Sequence, residues 1–127
     1  MNTTAPSEGP PIDLDALRVM LGGDDGLVKM ILEKFRAEIL GDIEQLKTLQ
    51  RQQEAEPIRA LAHRLKGTCG NAQATQLSEI AKLLQFAMAA GELEQASDPI
   101  EALDAERLSL ESYLTEQGYE LASACAL

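Results

Sequence analysis

His63 and Lys66 are the residues of this chain best equipped for chemistry. They lie one helical turn apart in the run Pro57-Ile58-Arg59-Ala60-Leu61-Ala62-His63-Arg64-Leu65-Lys66-Gly67-Thr68-Cys69-Gly70-Asn71-Ala72. His63 is the single histidine in 127 residues. The run reads as one helix. On a wheel of about 100° per residue, Ile58, Leu61, Ala62, Leu65, Cys69 and Ala72 fall within roughly 60° of one direction, which marks the buried side. His63 falls about 140° from it and therefore faces solvent. Arg59, Ala60, Lys66, Gly67 and Gly70 share that outer face.

Gly67 and Gly70 each cost a helix about 1 kcal/mol relative to alanine. Beside His63 they leave, with Ala60, a surface poor in side chains, over which a partner's backbone can approach the imidazole. The charge pattern adds to this. The protein carries a formal net charge of −10, yet no Asp or Glu occurs between Pro57 and Ser78, where Arg59, Arg64 and Lys66 stand. A basic patch on an acidic protein suits the handling of an anion. An exposed neutral imidazole can attack phosphorus, and an ammonium one turn away can stabilise the added charge.

His63-Arg64-Leu65-Lys66-Gly67, followed by Ala74 and Leu77, resembles the signature of histidine-containing phosphotransfer (HPt) domains of multistep phosphorelays. The resemblance runs from about Ile12 to Gln117 in helix pattern and order. It implies that His63 is phosphorylated on Nε2, that Lys66 assists, and that Gly67 gives the partner access. If the chain returns antiparallel about a turn centred near Ala74, Gln85 lies as far from that centre as His63 and faces it. In many HPt domains a glutamine there is hydrogen-bonded to Nδ1, fixing the tautomer with a nucleophilic Nε2. The same register sets Lys82 opposite Lys66, extending the basic patch, and Phe86 near Ala62. One position departs from the family pattern: Gln73 stands where a glycine usually precedes the alanine. Glutamine tolerates positive φ poorly, so a differently shaped turn is expected.

The elements that must carry these residues are helical. Apolar residues make up 45% of the chain and aromatics 3%, so the core is aliphatic. Leu14, Leu17, Met20 and Leu21 form one side of a short helix ending at Gly22 and Gly23, placed as a lid on the bundle. Asp24 or Asp25 caps a helix to about Gln52, with Leu27, Val28, Ile31, Leu32, Phe35, Ile39, Ile43, Leu46 and Leu49 at steps of mostly three and four. Pro57 suits the first turn of the His63 helix. Thr75 is the expected N-cap of a helix carrying Leu77, Ile80, Leu84 and Met88 and stopping at Gly91. Ser97 or Asp98 with Pro99 opens the last helix, whose inward side is Ile100, Leu103, Leu110 and Leu114, and Gly118 ends it. The expected fold is all-α: an antiparallel four-helix bundle with an additional short N-terminal helix. Residues 1–11 are expected to be a disordered arm, 12–117 the bundle domain and 118–127 a flexible tail.

Several functions are excluded or disfavoured. No G-x-x-x-x-G-K-[ST] loop is present, so no ATP site is expected. One histidine and two cysteines at unsuitable spacing, Cys69 and Cys125, do not supply the ligands of a structural zinc site, and no metal site is expected. The acidic charge opposes nucleic-acid binding, and no run is long and apolar enough for a membrane span. With no secretory signal and no disulfide framework, a cytoplasmic protein is expected, and a monomer. The resemblance implies a phosphocarrier, not an enzyme. It accepts a phosphoryl group on His63 from the aspartyl phosphate of a receiver domain, such as that of a hybrid sensor histidine kinase. It then passes the group to, or back from, another response-regulator receiver. No cofactor is expected on this chain, and Mg²⁺ is expected on the partner receiver. Arg59, Ala60, Arg64, Gly67, Gly70 and Asn71 would line the docking surface. The competing reading is a non-catalytic helical module that binds a receiver or partner helix without carrying phosphate.

Overall fold

The computed structural model describes residues 9–119. Five α-helices follow one another: α1 (Leu14–Met20), α2 (Asp25–Arg51), α3 (Ala55–Asn71), α4 (Thr75–Ala89) and α5 (Ser97–Glu116), the last preceded by a 3₁₀ turn at Leu93–Gln95. α3 packs most extensively on α4, α4 on α5, and α2 closes the ring against both α3 and α5. Short connections force each pair to run antiparallel, giving a four-helix bundle with α1 laid on α2. No strand occurs among the described residues.

Periodicity explains the bundle. On α2, Val28, Leu32, Phe35, Ile39, Ile43 and Leu46 are buried at steps of three and four. Ile58, Leu61, Ala62, Leu65 and Cys69 do the same on α3, and Leu77, Ala81, Leu84 and Met88 on α4. On α5 the stripe of Ile100, Leu103, Leu110 and Leu114 is interrupted at Arg107, which is paired with Asp104 and Glu111. Ile12, ahead of α1, is fully buried in the same core. Burial of a branched aliphatic side chain contributes about 1.5–3 kcal/mol, so these stripes supply the driving force of the fold.

Caps follow the sequence in the first half of the chain and depart from it in the second. Asp13 accepts the backbone N–H of Ala16 and Asp24 that of Leu27, each at 3.0 Å, opening α1 and α2. Thr75 does not cap α4: Ala74 holds the N-cap position, and no side chain closes it. Gln76 instead reaches back, its Nε2 donating to the carbonyls of Gly9 and Pro10. Neither Ser97 nor Asp98 caps α5, because the 3₁₀ turn feeds helical backbone directly into it through Ala96. Gly9–Pro11, expected within the arm, are therefore partly pinned to α4. Tyr119, expected in the tail, is docked, its hydroxyl accepting from Arg18 Nη2 at 2.9 Å. The remainder of the expected arm and tail, residues 1–8 and 120–127, lies outside the described residues.

Two turns hold a glutamine at positive φ, Gln53 between α2 and α3 and Gln73 between α3 and α4, and the second bears on the site. Gln73 itself takes φ +67°, so the left-handed turn is kept without the glycine. Its N–H bonds the Gly70 carbonyl and the Ala74 N–H that of Cys69, which closes α3 in a Schellman motif. Its own carbonyl accepts from Asp13 N at 2.9 Å, tying the start of α1 to this end of the bundle. A non-glycine residue in this region costs roughly 1–2 kcal/mol, and glycine returns about 0.5–1 of that as unfolded-state entropy. Gln73→Gly is therefore expected to raise unfolding stability by up to about 1 kcal/mol in urea titrations. A variant less stable than wild type would show that the Gln73 side chain, whose Nε2 lies 3.0 Å from Met20 Sδ, contributes more than the strain costs.

Candidate functional site

α3 presents His63 at its middle, on the solvent side, as the wheel requires: His63 is exposed while Ala62 and Leu65 beside it are buried. Gly67 and Gly70 are exposed on the same face, and a Cβ at Gly67 would meet nothing within 4 Å. The surface around the ring is thus low and open.

The register of α4 against this face follows from two contacts. Ser78 Oγ donates to the Lys66 carbonyl at 2.9 Å, and a Cβ built on Gly70 would sit 3.5 Å from the same Oγ. The antiparallel centre therefore lies between Ala72 and Ala74. From Ser78, Lys82 is one turn and Gln85 two turns along α4, all three within about 60° on the wheel. From Gly70, Lys66 and His63 recede equally along α3. The two rows meet side by side, which brings Lys66, Lys82 and Gln85 to the shoulder beside His63.

Gln85 is half-buried, and its Oε1 is a buried acceptor without a partner. No Gln85–His63 hydrogen bond is formed among the described residues. Leaving such an acceptor unpaired costs roughly 1–3 kcal/mol, so Oε1 is available for a donor, as an imidazole N–H would be. Phe86 does not pack on Ala62. It is 56% exposed, and Lys82 Nζ lies 5.8 Å from its ring centroid. An ammonium over an aromatic face at a surface gains about 0.5–1 kcal/mol.

The basic patch is smaller than the sequence suggests. Arg59 is tied within its own helix to Glu56, donating through Nε and Nη2 to its carboxylate, and this holds the Glu56 carboxyl below its ordinary value. Arg64 Nη2 donates to Asp42 Oδ1 of α2 at 2.6 Å, away from the α4 shoulder. Lys66 and Lys82 are the cations of the face that make no salt bridge among the described residues. Ala60 is exposed and lines a groove between α2 and α3 together with Arg64. Asn71 is exposed near the far end, lining a groove of about 270 Å³ with Leu17, Met20 and Phe35 under α1. The structure therefore gathers His63, Lys66, Gly67, Gly70 and Gln85, and disperses Arg64 and Asn71 toward α2.

Asp42, Glu56 and Ser78 were not among the residues singled out by sequence. Glu56 stands one residue outside the acid-free window and one turn before Arg59, a legible i,i+3 pair. Asp42 gave a weaker signal, an acid between Ile39 and Ile43 on the apolar stripe of α2. Cys69 is not a competing nucleophile, since burial pushes its thiol up to about 12. Among the described residues no group of three or more His, Cys, Asp or Glu is placed to hold a metal ion. No helix among the described residues is long and apolar enough to cross a membrane.

Residues 30–116 match the Hpt domain family. The fold is similar to the crystal structure of histidine-containing phosphotransfer protein B (HptB) from Pseudomonas aeruginosa PAO1. The two share a TM-score of 0.78 at 23% sequence identity, over 89% of this chain and 100% of that one. No curated protein matches the chain.

Asp42 makes the pairing testable. Burial raises its carboxyl above the ordinary value, and the Arg64 guanidinium offsets this only in part. The folded state then takes up the proton at higher pH than the unfolded chain does. The charged carboxylate costs stability at neutral pH, and that cost is relieved as pH falls through the folded pKa toward the unfolded value of 3.8. Urea titrations of wild type and Asp42→Asn from about pH 7 to about pH 4 should show the difference moving in favour of the wild type as pH falls. A constant difference would mean that the Arg64 pair cancels the cost of burial.

Proposed function

The chain belongs to the Hpt domain family, the histidine phosphotransfer modules of phosphorelays, and on that premise we propose that His63 is its phosphoryl acceptor. The observation that carries this reading is an exposed imidazole on α3, inside the matched segment, with Lys66 one turn away and glycines on the approach. The donor is the aspartyl phosphate of a receiver domain, such as that of a hybrid sensor histidine kinase, and the acceptor is another response-regulator receiver.

In the transfer, neutral His63 attacks through Nε2. The N–P bond forms as the bond between phosphorus and the carboxyl oxygen breaks, and the leaving aspartate takes the electron pair as carboxylate. No proton need move: Nδ1 keeps its own and becomes part of an imidazolium, whose N–H the orphan Oε1 of Gln85 is suited to accept. Lys66 offsets the charge on the phosphoryl oxygens. Mg²⁺ belongs to the acidic pocket of the receiver, which completes the site when it docks. Gly67 and Gly70 admit the receiver to the ring, with Arg59, Ala60, Arg64 and Asn71 at the margin of the contact. The reading is of a cytoplasmic, monomeric carrier.

The test mixes the protein with an aspartyl-phosphorylated receiver and Mg²⁺ and follows acid-labile, alkali-stable phosphate on this chain. Wild type should take up label and His63→Gln should take up none while keeping its helical content. Labelled His63→Gln would assign another acceptor. Lys66→Ala should slow transfer by about tenfold, the scale of one charge-assisted hydrogen bond. Unchanged transfer and lifetime would remove Lys66 from the mechanism.

A further inference from the structure

Phe86 is out of place in this protein. The chain has two phenylalanines. Phe35 is in the core at 4% exposure, whereas Phe86 stands 56% exposed on α4. The ammonium of Lys82 lies over its ring, 5.8 Å from the centroid. An aromatic face holds a cation by its quadrupole and leaves the positive charge un-neutralised. That sets Lys82 apart from Arg59 and Arg64, whose charges are spent on Glu56 and Asp42. The Ser78–Lys66 and Ser78–Gly70 contacts fix where Lys82 stands: across the α3–α4 shoulder, at the level between Ala62 and Lys66, which is the level of His63.

We propose that Lys82, held upright by the face of Phe86, is a second phosphoryl-binding cation, gripping the group on His63 from α4 while Lys66 grips it from α3. The inference rests on His63 being the acceptor. Two ammonium groups from facing helices span the phosphoryl oxygens from both sides, so neither helix must move to meet the added charge. Phe86 acts through Lys82 and is a positioning residue. Its ring restricts a long, flexible side chain that would otherwise disperse into solvent.

A small P–N donor separates this role from receiver docking. The full chain is incubated with phosphoramidate, which gives its phosphoryl group to an imidazole nitrogen as the P–N bond breaks and ammonia leaves with a proton. Phosphate on the chain and its rate of loss are followed by ³¹P NMR, at low and at high ionic strength. Lys82→Gln should slow labelling about tenfold and flatten its dependence on salt, because the attraction removed is a screened one. Phe86→Leu keeps the apolar bulk and should give a loss of about threefold, with Lys82→Arg within twofold of wild type. Thermal unfolding of all three should match wild type, as both side chains are largely at the surface. Labelling and salt dependence of Lys82→Gln equal to wild type, while His63→Gln takes up none, would overturn the role of Lys82 and leave the acceptor intact. Wild type that takes up no label from phosphoramidate or from a phosphorylated receiver would overturn the acceptor and this inference together.

Discussion

The close approach of α3 and α4 is the constraint on which the rest of the structure depends. It is marked where Ser78 Oγ donates to the Lys66 carbonyl, with Gly70 alongside. A Cβ at Gly70 would meet Ser78 Oγ at 3.5 Å, an ordinary van der Waals contact, whereas an apolar residue at Ser78 would give up the hydrogen bond to the backbone under Lys66. Below this contact the buried faces of Leu61, Ala62, Leu65 and Cys69 meet Leu77, Ala81 and Leu84 in the core. Above it, the outer rows come into register. The same packing that buries the aliphatic stripe therefore sets His63, Lys66, Lys82 and Gln85 side by side. The core provides the energy, and the Ser78–Lys66 hydrogen bond marks the alignment.

Charge is managed with comparable economy. The protein is strongly acidic, yet its working face has cations with two different fates. Arg59 and Arg64 are tied to Glu56 and Asp42, where they brace α3 internally and against α2. Lys66 and Lys82 make no such pair among the described residues. An ion-paired guanidinium must give up its carboxylate before it can meet a new anion, and Asp42 would be left buried without its partner. An ammonium that is unpaired, or seated on an aromatic ring, gives up little. The division separates cations that stabilise the fold from cations that can answer a charge arriving at His63.

Much of this was legible in the sequence, because helices announce themselves by period. The order and approximate extent of the helices follow from apolar spacing, with the caps of α4 and α5 not foreseen, and the outward aspect of His63 follows from arithmetic on a wheel. What period does not encode is where a long polar side chain goes once helices meet. The acid-free window from Pro57 to Ser78 is real along the chain, but Asp42 enters it from another helix and Glu56 from one residue upstream. The antiparallel register places Phe86 near Ala62, whereas the side chain stands exposed on α4 with Lys82 Nζ over its ring. Gln73 shows a different limit. A backbone hydrogen-bonded on both sides, to Gly70 and to Asp13, holds a residue at positive φ that local preference alone would refuse.

The site is open, with His63, Gly67 and Gly70 all exposed. His63 stands on a convex helix face, bordered by glycines, so water reaches the ring as freely as a partner does. Such a surface is a poor place to lower a chemical barrier unaided, since fixed dipoles act strongly only where water is excluded. It is a good place to lend a nucleophile to a concave partner. On the proposed reading the partner would bring the phosphoryl group and the metal, and docking would exclude the water. What remains for this chain is to hold one imidazole at a fixed height, with an acceptor available for Nδ1 and positive charge at hand. The α3–α4 shoulder does this with side chains rooted in a rigid bundle, so little ordering is left for the moment of encounter. On the same reading, an open face of this kind would serve donor and acceptor receivers in turn.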